Sequence, residues 1–257
     1  LFLPKSLESD FTIGHFVSAQ LFAGILSLCI TVFFLKKELP LVWFANGGYS
    51  GAIELLKKSA PFAILSFLMM AYFRIDGVLL AHWSGSEAAG IYAAGYRFVE
   101  AFIQFSALFG VILMPAFSHA IAQNKSTFNL FFTALGSLFL IATFSASIGY
   151  FAGNTIAAIL YKEKIAEIGN VISLLALSFL PLSISLVSGA WITAKGWINY
   201  LNGVALIVFV ITLAGNFLLI PISGTRGSAS VFIAAQTFSA VALLAAVLIG
   251  LWKNHRN

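Results

Sequence analysis

The sequence predicts an all-α membrane protein, a polytopic helical bundle of about seven transmembrane helices, and three observations carry that class. Sixty per cent of the 257 residues are hydrophobic and only 9% are charged, against about 25% charged in soluble domains. The mean hydropathy is +0.99. The apolar stretches reach the roughly 20 residues or more that cross a hydrocarbon core of about 30 Å, which is too long for signal peptides. Helices and not a barrel do the crossing, because stretches such as FSALFGVILM at 105–114 are apolar on both faces whereas a barrel strand alternates.

Taken in order, the spans fall at 11–35, 59–82, 90–120, 127–152, 165–193, 197–221 and 227–252. The first two are separated by the longest connection, 36–58, with Lys36, Lys37, Lys57 and Lys58 at its ends and a glycine-rich centre. It reads as a linker. Between the fourth and fifth spans, NTIAAILY at 154–161 is too short to cross and reads as an interfacial helix. Pro61, Pro115, Pro181 and Pro221 each remove a helical hydrogen bond and mark kinks or ends. Pro181 is central to its span, and the hydroxyls of LPLSIS at 180–185 are placed to satisfy freed carbonyls. Gly149 and Gly153 form a small-xxx-small pair that favours close helix contact.

Net charge is +5 and the isoelectric point is near 9.4, but the basic residues are scattered through short loops, so they set topology instead of forming a nucleic-acid surface. Lys36, Lys37, Lys57, Lys58, Lys125, Lys195, Lys253 and Arg256 fall on one side, and Lys5, Lys162, Lys164 and Arg226 on the other. The positive-inside rule then expects a multi-pass protein of the cell (plasma or inner) membrane with the long connection and the C-terminus cytoplasmic. The N-terminus is expected outside, and a chain beginning at Leu1 reads as a fragment. Cys29 stands alone, and His15, His82, His119 and His255 lie too far apart for metal-ligand spacing. No metal site and no cofactor is expected.

Apart from Glu167 at the start of the fifth span, charge inside the spans is confined to Arg74 and Asp76 in the second and Arg97 and Glu100 in the third. Each costs about 2.5 to 3.5 kcal/mol at mid-membrane on insertion scales, so partners or a water-filled cavity are required. The two spans are antiparallel neighbours, and with the boundaries above Arg74 and Arg97 share a level about 10 to 12 Å deep. Two pairings are open, Asp76 with Arg97 or Arg74 with Glu100; Arg97 and Glu100 are also i,i+3 neighbours. Arg74 and Asp76 lie about 200° apart on the helix and cannot serve one face. On the third span, Ala93, Arg97, Glu100, Ala101 and Gln104, with Tyr96 at the edge, form a polar and small-residue stripe expected towards a cavity or other helices, and Phe98, Phe102, Phe105 and Phe109 lie opposite, expected towards lipid. Arginine suits phosphate, because its planar fork donates two hydrogen bonds and stays charged. Asp76 or Glu100, once desolvated, is a candidate to carry a coupling proton. A purely structural role, with the four neutralising one another and fixing register, stands beside this.

RIDGVLLAHWSGSEAAGIYAAGYRFVEAF at 74–102, LMPAFSHA at 113–120 and GNFLLIPISGTRGSAS at 215–230 resemble the polysaccharide-biosynthesis branch, including the O-antigen flippases, of the multidrug and oligosaccharidyl-lipid exporter superfamily. The resemblance covers nearly the whole chain and corresponds to the sixth to twelfth spans of a protein with about a dozen. It implies one six-helix lobe of a two-lobe transporter plus the preceding helix: 1–35 as the last helix of the N-terminal lobe, 36–58 as the cytoplasmic inter-lobe loop and 59–257 as the C-terminal lobe. It further implies flipping of a polyprenyl-pyrophosphate-linked glycan by alternating access, with Arg74, Arg97 and Gln104 as candidate substrate contacts and Asp76 and Glu100 as coupling or ion-pair residues. The partners implied are that glycan, the bilayer and the missing N-terminal lobe.

A multidrug cation antiporter of the same fold would want an acidic, aromatic cavity, and two arginines repel a cation. A seven-span receptor or an intramembrane enzyme is the alternative of another class. The spans hold no His-Glu-x-x-His and no Gly-x-Ser-x-Gly, so no nucleophile or metal for hydrolysis is apparent, and the expectation is a protein that is not an enzyme.

Overall fold

A computed structural model describes residues Ile13–Glu38 and Gly48–Arg256. The described residues form seven helices: α1 (Ile13–Glu38), α2 (Gly48–Trp83), α3 (Gly85–Ala122), α4 (Phe128–Leu160), α5 (Ile165–Ala176), α6 (Phe179–Ala194) and α7 (Ile198–Arg256). Five of them, α1 to α4 and α7, are long and apolar enough to cross a membrane, and α5 with α6, bent by 44°, make a sixth crossing as a broken span. The chain separates into two compact units at Lys58 and Ser59. α1 belongs to the first. The residues Lys36 to Glu38 and Gly48 to Lys58, expected in a linker, are helical; the remainder of that connection lies outside the described residues.

α7 spans 59 residues, but Gly224 adopts φ 51° and ψ −128°, which no helix contains. That break divides α7 into two arms and brings the crossings to seven. The arms fold back on each other at close range. A Cβ on Gly227 would run into the carbonyl oxygen of Leu219, and one on Gly215 would lie 2.9 Å from a methyl of Val231. Glycine at 224 supplies the left-handed φ, and glycine at 227 supplies the room.

The bend between α5 and α6 follows from Pro181, which has no N–H to offer the carbonyl of Leu177 four residues earlier. The amides of Leu177 and Ser178 tighten onto the carbonyls of Leu174 and Leu175 at 3.1 and 3.0 Å. Ser178 Oγ donates to Leu175 at 2.6 Å and Ser183 Oγ to Leu180 at 2.7 Å; these bonds go to other carbonyls than that of Leu177, which the hydroxyls of LPLSIS were expected to satisfy.

One expectation fails on α4. Residues 154–160 are not an interfacial helix but the last two turns of α4 itself, which runs unbroken to Leu160. The reason is packing against α5: a Cβ on Gly153 would sit 2.6 Å from the carbonyl oxygen of Gly169, a Cβ on Gly149 would sit 2.5 Å from Cβ of Ala176, and a Cβ on Gly169 would sit 2.7 Å from Cα of Asn154. The small-xxx-small pair therefore does what its spacing implied, and the contact carries α4 beyond the length a span needs. Tyr161, just past its end, donates its hydroxyl to the carbonyl of Ala94 on α3 at 3.0 Å.

Unit 2 holds two main apolar clusters. One gathers Phe117, Phe131, Leu138, Val187 and Trp191, with Trp191 Nε1 donating to the buried Thr127 Oγ1 at 2.9 Å. The other gathers Leu80, Tyr92, Val99, Phe102, Phe179 and Phe232 and lies beneath the charged residues.

Because the α4–α5 contact is backbone against backbone, Gly153→Ala should overpack it and cost about 1 to 3 kcal/mol. Gly136→Ala, where a Cβ meets nothing within 4 Å, should be neutral or stabilising by about 1 kcal/mol. Thermal melts of the two purified variants in one detergent check this; equal Tm values would contradict it.

Candidate functional site

The site is built on the turn between α2 and α3. Ser84 is the only residue between the two helices, and Gly85 takes φ +86°, a left-handed value that glycine adopts without strain. Register follows from this. Asp76 stands eight residues before Ser84 and Tyr92 eight residues after it, so the two share a level about 12 Å along the helices.

They meet there. Tyr92 donates its hydroxyl to Asp76 Oδ2 at 2.6 Å, and the amide of Gly77 donates to Oδ1 at 2.8 Å. Asp76 is 3% exposed and is therefore a buried carboxylate held by hydrogen bonds. Such a group is tolerated in an apolar interior only when its oxygens are satisfied. Tyr96, one turn beyond Tyr92, stacks on it with ring centroids 5.9 Å apart. Its own hydroxyl is buried without a partner among the described residues.

The remaining charges occupy the outer face. Arg74 Nη1 lies 2.8 Å from Glu100 Oε1, and Arg97 Nε lies 3.8 Å from Glu100 Oε2. The side chains of Arg74 and Arg97 are 67% and 77% exposed, that of Glu100 26%. Of the two pairings left open by sequence, Arg74 with Glu100 forms, and Asp76 with Arg97 does not, because Tyr92 occupies the Asp76 carboxylate. Arg74 and Asp76 do face different ways, one outward and one into α3, as 200° of separation requires. Gln104 is exposed on α3, four residues past Glu100. Two cavities of unit 2, of about 320 and 330 Å³, are lined by other residues; the arginines stand on the open surface of the unit. Among the described residues no three His, Cys, Asp or Glu side chains gather as a metal site would need.

The phenylalanine row of α3 corrects another expectation. Phe98 and Phe102 do not face lipid: Phe102 is buried and stacks on Phe179 of α6 with centroids 4.1 Å apart, and Phe98 lies 5.4 Å from the same ring. Phe105 is exposed. In unit 2 the aromatic face of α3 packs on α6 and serves as core, and the polar stripe is what remains outside. Sequence reasoning missed Tyr92 and gave Tyr96 no role beyond the edge of the polar stripe. Their i,i+4 spacing puts them on one face, and counting from Ser84 instead of Gly90 would have set Tyr92 opposite Asp76.

The fold defines a multi-pass helical membrane protein. A family model described as polysaccharide biosynthesis protein matches residues 1–121, which includes α1, α2 and nearly all of α3 with every charged residue of the site. The matched segment is 121 of the 257 residues, so the likeness to that family is one of the N-terminal part of the sequence. No curated protein and no solved structure matches the chain.

Because Tyr92 alone holds Oδ2 of Asp76 while the arginines are solvated, Tyr92→Phe should lower stability by about 1 to 3 kcal/mol through the unpaired buried carboxylate. Arg97→Ala should stay within about 0.5 kcal/mol. Denaturant or thermal unfolding in detergent measures both; a larger loss for Arg97→Ala would reverse the assignment.

Proposed function

We propose that the chain is the C-terminal part of a flippase that moves a polyprenyl-pyrophosphate-linked oligosaccharide from the cytoplasmic to the outer leaflet by alternating access, for cell-surface polysaccharide biosynthesis. In this reading residues 59–257 are one lobe, α1 ends the other, and the C-terminus is cytoplasmic. The observation that carries it is the unbalanced charge on the exposed face of α2 and α3. Two guanidiniums share the single carboxylate of Glu100, while Asp76 is turned inward onto Tyr92. One net positive charge at mid-span is costly in hydrocarbon and is compensated when an anion arrives.

A pyrophosphate offers each arginine a fork of oxygens, and hydrogen bonds between charged groups contribute about 1.5 to 3 kcal/mol each. Glu100 then works as an internal competitor: it holds Arg74 and Arg97 while the face is empty and yields them to the ligand. Gln104, farther along the same face, has the donor and acceptor needed for a sugar hydroxyl. Asp76, buried beside Tyr92, is placed to exchange a proton as the lobes alternate. The match to a polysaccharide-biosynthesis family supports the substrate class. A cation exporter fits this face poorly, since the excess charge repels its substrate.

In the full-length gene product, Arg74→Ala and Arg97→Ala should each cut surface glycan by roughly tenfold or more, the loss of one charged hydrogen bond, with membrane protein level unchanged. Glycan labelling beside an immunoblot reads both quantities. Undiminished glycan, or a parallel loss of protein, would contradict the proposal in favour of structural ion pairs.

A further inference from the structure

The cavity of about 320 Å³ in unit 2 lies between α2, α3, α6 and both arms of α7, away from the arginine face. No charged side chain lines it. Its polar side chains are few: Ser185 Oγ donates to Ser239 Oγ at 3.3 Å, Thr193 Oγ1 donates to the carbonyl of Gly189 at 2.7 Å, and Tyr72 adds a phenol to the lining. The remaining one is Gln236. It is 1% exposed, it lines the cavity, and its carboxamide nitrogen has no partner among the described residues. A buried donor left in that state carries a desolvation cost that a ligand acceptor would relieve.

Two glycines keep the space open. Gly110 on α3 and Gly189 on α6 both line the cavity, and a Cβ added to either would meet nothing within 4 Å. Neither takes a positive φ, so neither backbone geometry nor close packing calls for glycine there. Each weakens its helix by about 1 kcal/mol relative to alanine, and what it provides is volume. Water is a poor occupant: the space would hold about ten molecules at roughly 30 Å³ each, and each wants two to four polar partners. Met69 and Met114 line the cavity while remaining 38% and 43% exposed, so its mouth opens onto apolar surface at span depth.

We propose that this cavity is a binding site for an uncharged, largely apolar molecule bearing a carbonyl oxygen, which enters from the hydrocarbon and accepts a hydrogen bond from Gln236. Its size falls at the lower end of the range of small-molecule pockets, about 300 to 1,000 Å³. The lack of charge excludes the pyrophosphate of the proposed substrate from this site.

Benzophenone is the probe: apolar, with one carbonyl, and photoreactive towards methionine C–H bonds. The chain has three methionines; Met69 and Met114 line the cavity and Met70, 71% exposed, does not. Irradiation of the protein in nanodiscs followed by peptide mass spectrometry should label Met69 and Met114 at least about tenfold above Met70. Gly189→Leu, or Gly110→Leu from the opposite wall should the first not fold, should reduce that labelling by at least about fivefold. Gln236→Leu should weaken it about three- to tenfold, the loss of one neutral hydrogen bond, and diphenylmethane should compete correspondingly less well than unlabelled benzophenone. Met70 labelled as strongly as Met69, or labelling indifferent to both glycine variants, would overturn the site. Diphenylmethane competing equally, with Gln236→Leu unchanged, would overturn the carbonyl assignment.

Discussion

A one-residue turn at Ser84, made possible by the left-handed Gly85, fixes how α2 lies along α3, and the polar contacts between those helices follow from that register. Slide one helix by a turn and Asp76 loses Tyr92, leaving a buried carboxylate oxygen without a donor in a medium that supplies none. The same register brings Arg74 within reach of Glu100. Burying one acid on a tyrosine while leaving the other to two arginines converts four charges that balance in sequence into a face that carries an excess of one.

The scaffold behind this face is fixed by a different constraint. Helices in hydrocarbon gain little from apolar burial against one another, so contact depends on close approach and on local satisfaction of backbone groups. Gly149, Gly153 and Gly169 let α4 and α5 touch along their length, and Gly227 admits the returning arm of α7. Gly110 and Gly189 belong to neither category, for they face space. Glycine thus has three uses in this unit, and only geometry separates them.

Much of the architecture was legible in the sequence because apolar length is a coarse, strong signal: all seven crossings were anticipated, as were the break near Pro181 and the tight pair at Gly149 and Gly153. Boundaries were not. Helices here run well past the hydrocarbon core, so the hydropathy limit at Gly90 lies five residues inside the true start of α3 at Gly85, and the tail of α4 looked like a separate element. That displacement hid Tyr92 as the partner of Asp76. The grouping of Arg74, Arg97 and Glu100 survived it because long side chains tolerate a shift of register. Which way Phe98 and Phe102 point depends on α6, a neighbour remote in sequence, and periodicity alone distinguishes faces without saying which is inside.

The central claim is that Glu100 competes with an anionic ligand for the two arginines. The most direct measurement is the affinity of the protein in nanodiscs for farnesyl pyrophosphate, compared among the native chain, Glu100→Gln and Arg97→Gln. Competition predicts opposite signs: tighter binding for Glu100→Gln, weaker for Arg97→Gln. Equal affinity in all three, or weaker binding in both variants, would contradict it and leave these charges as a structural bridge between α2 and α3.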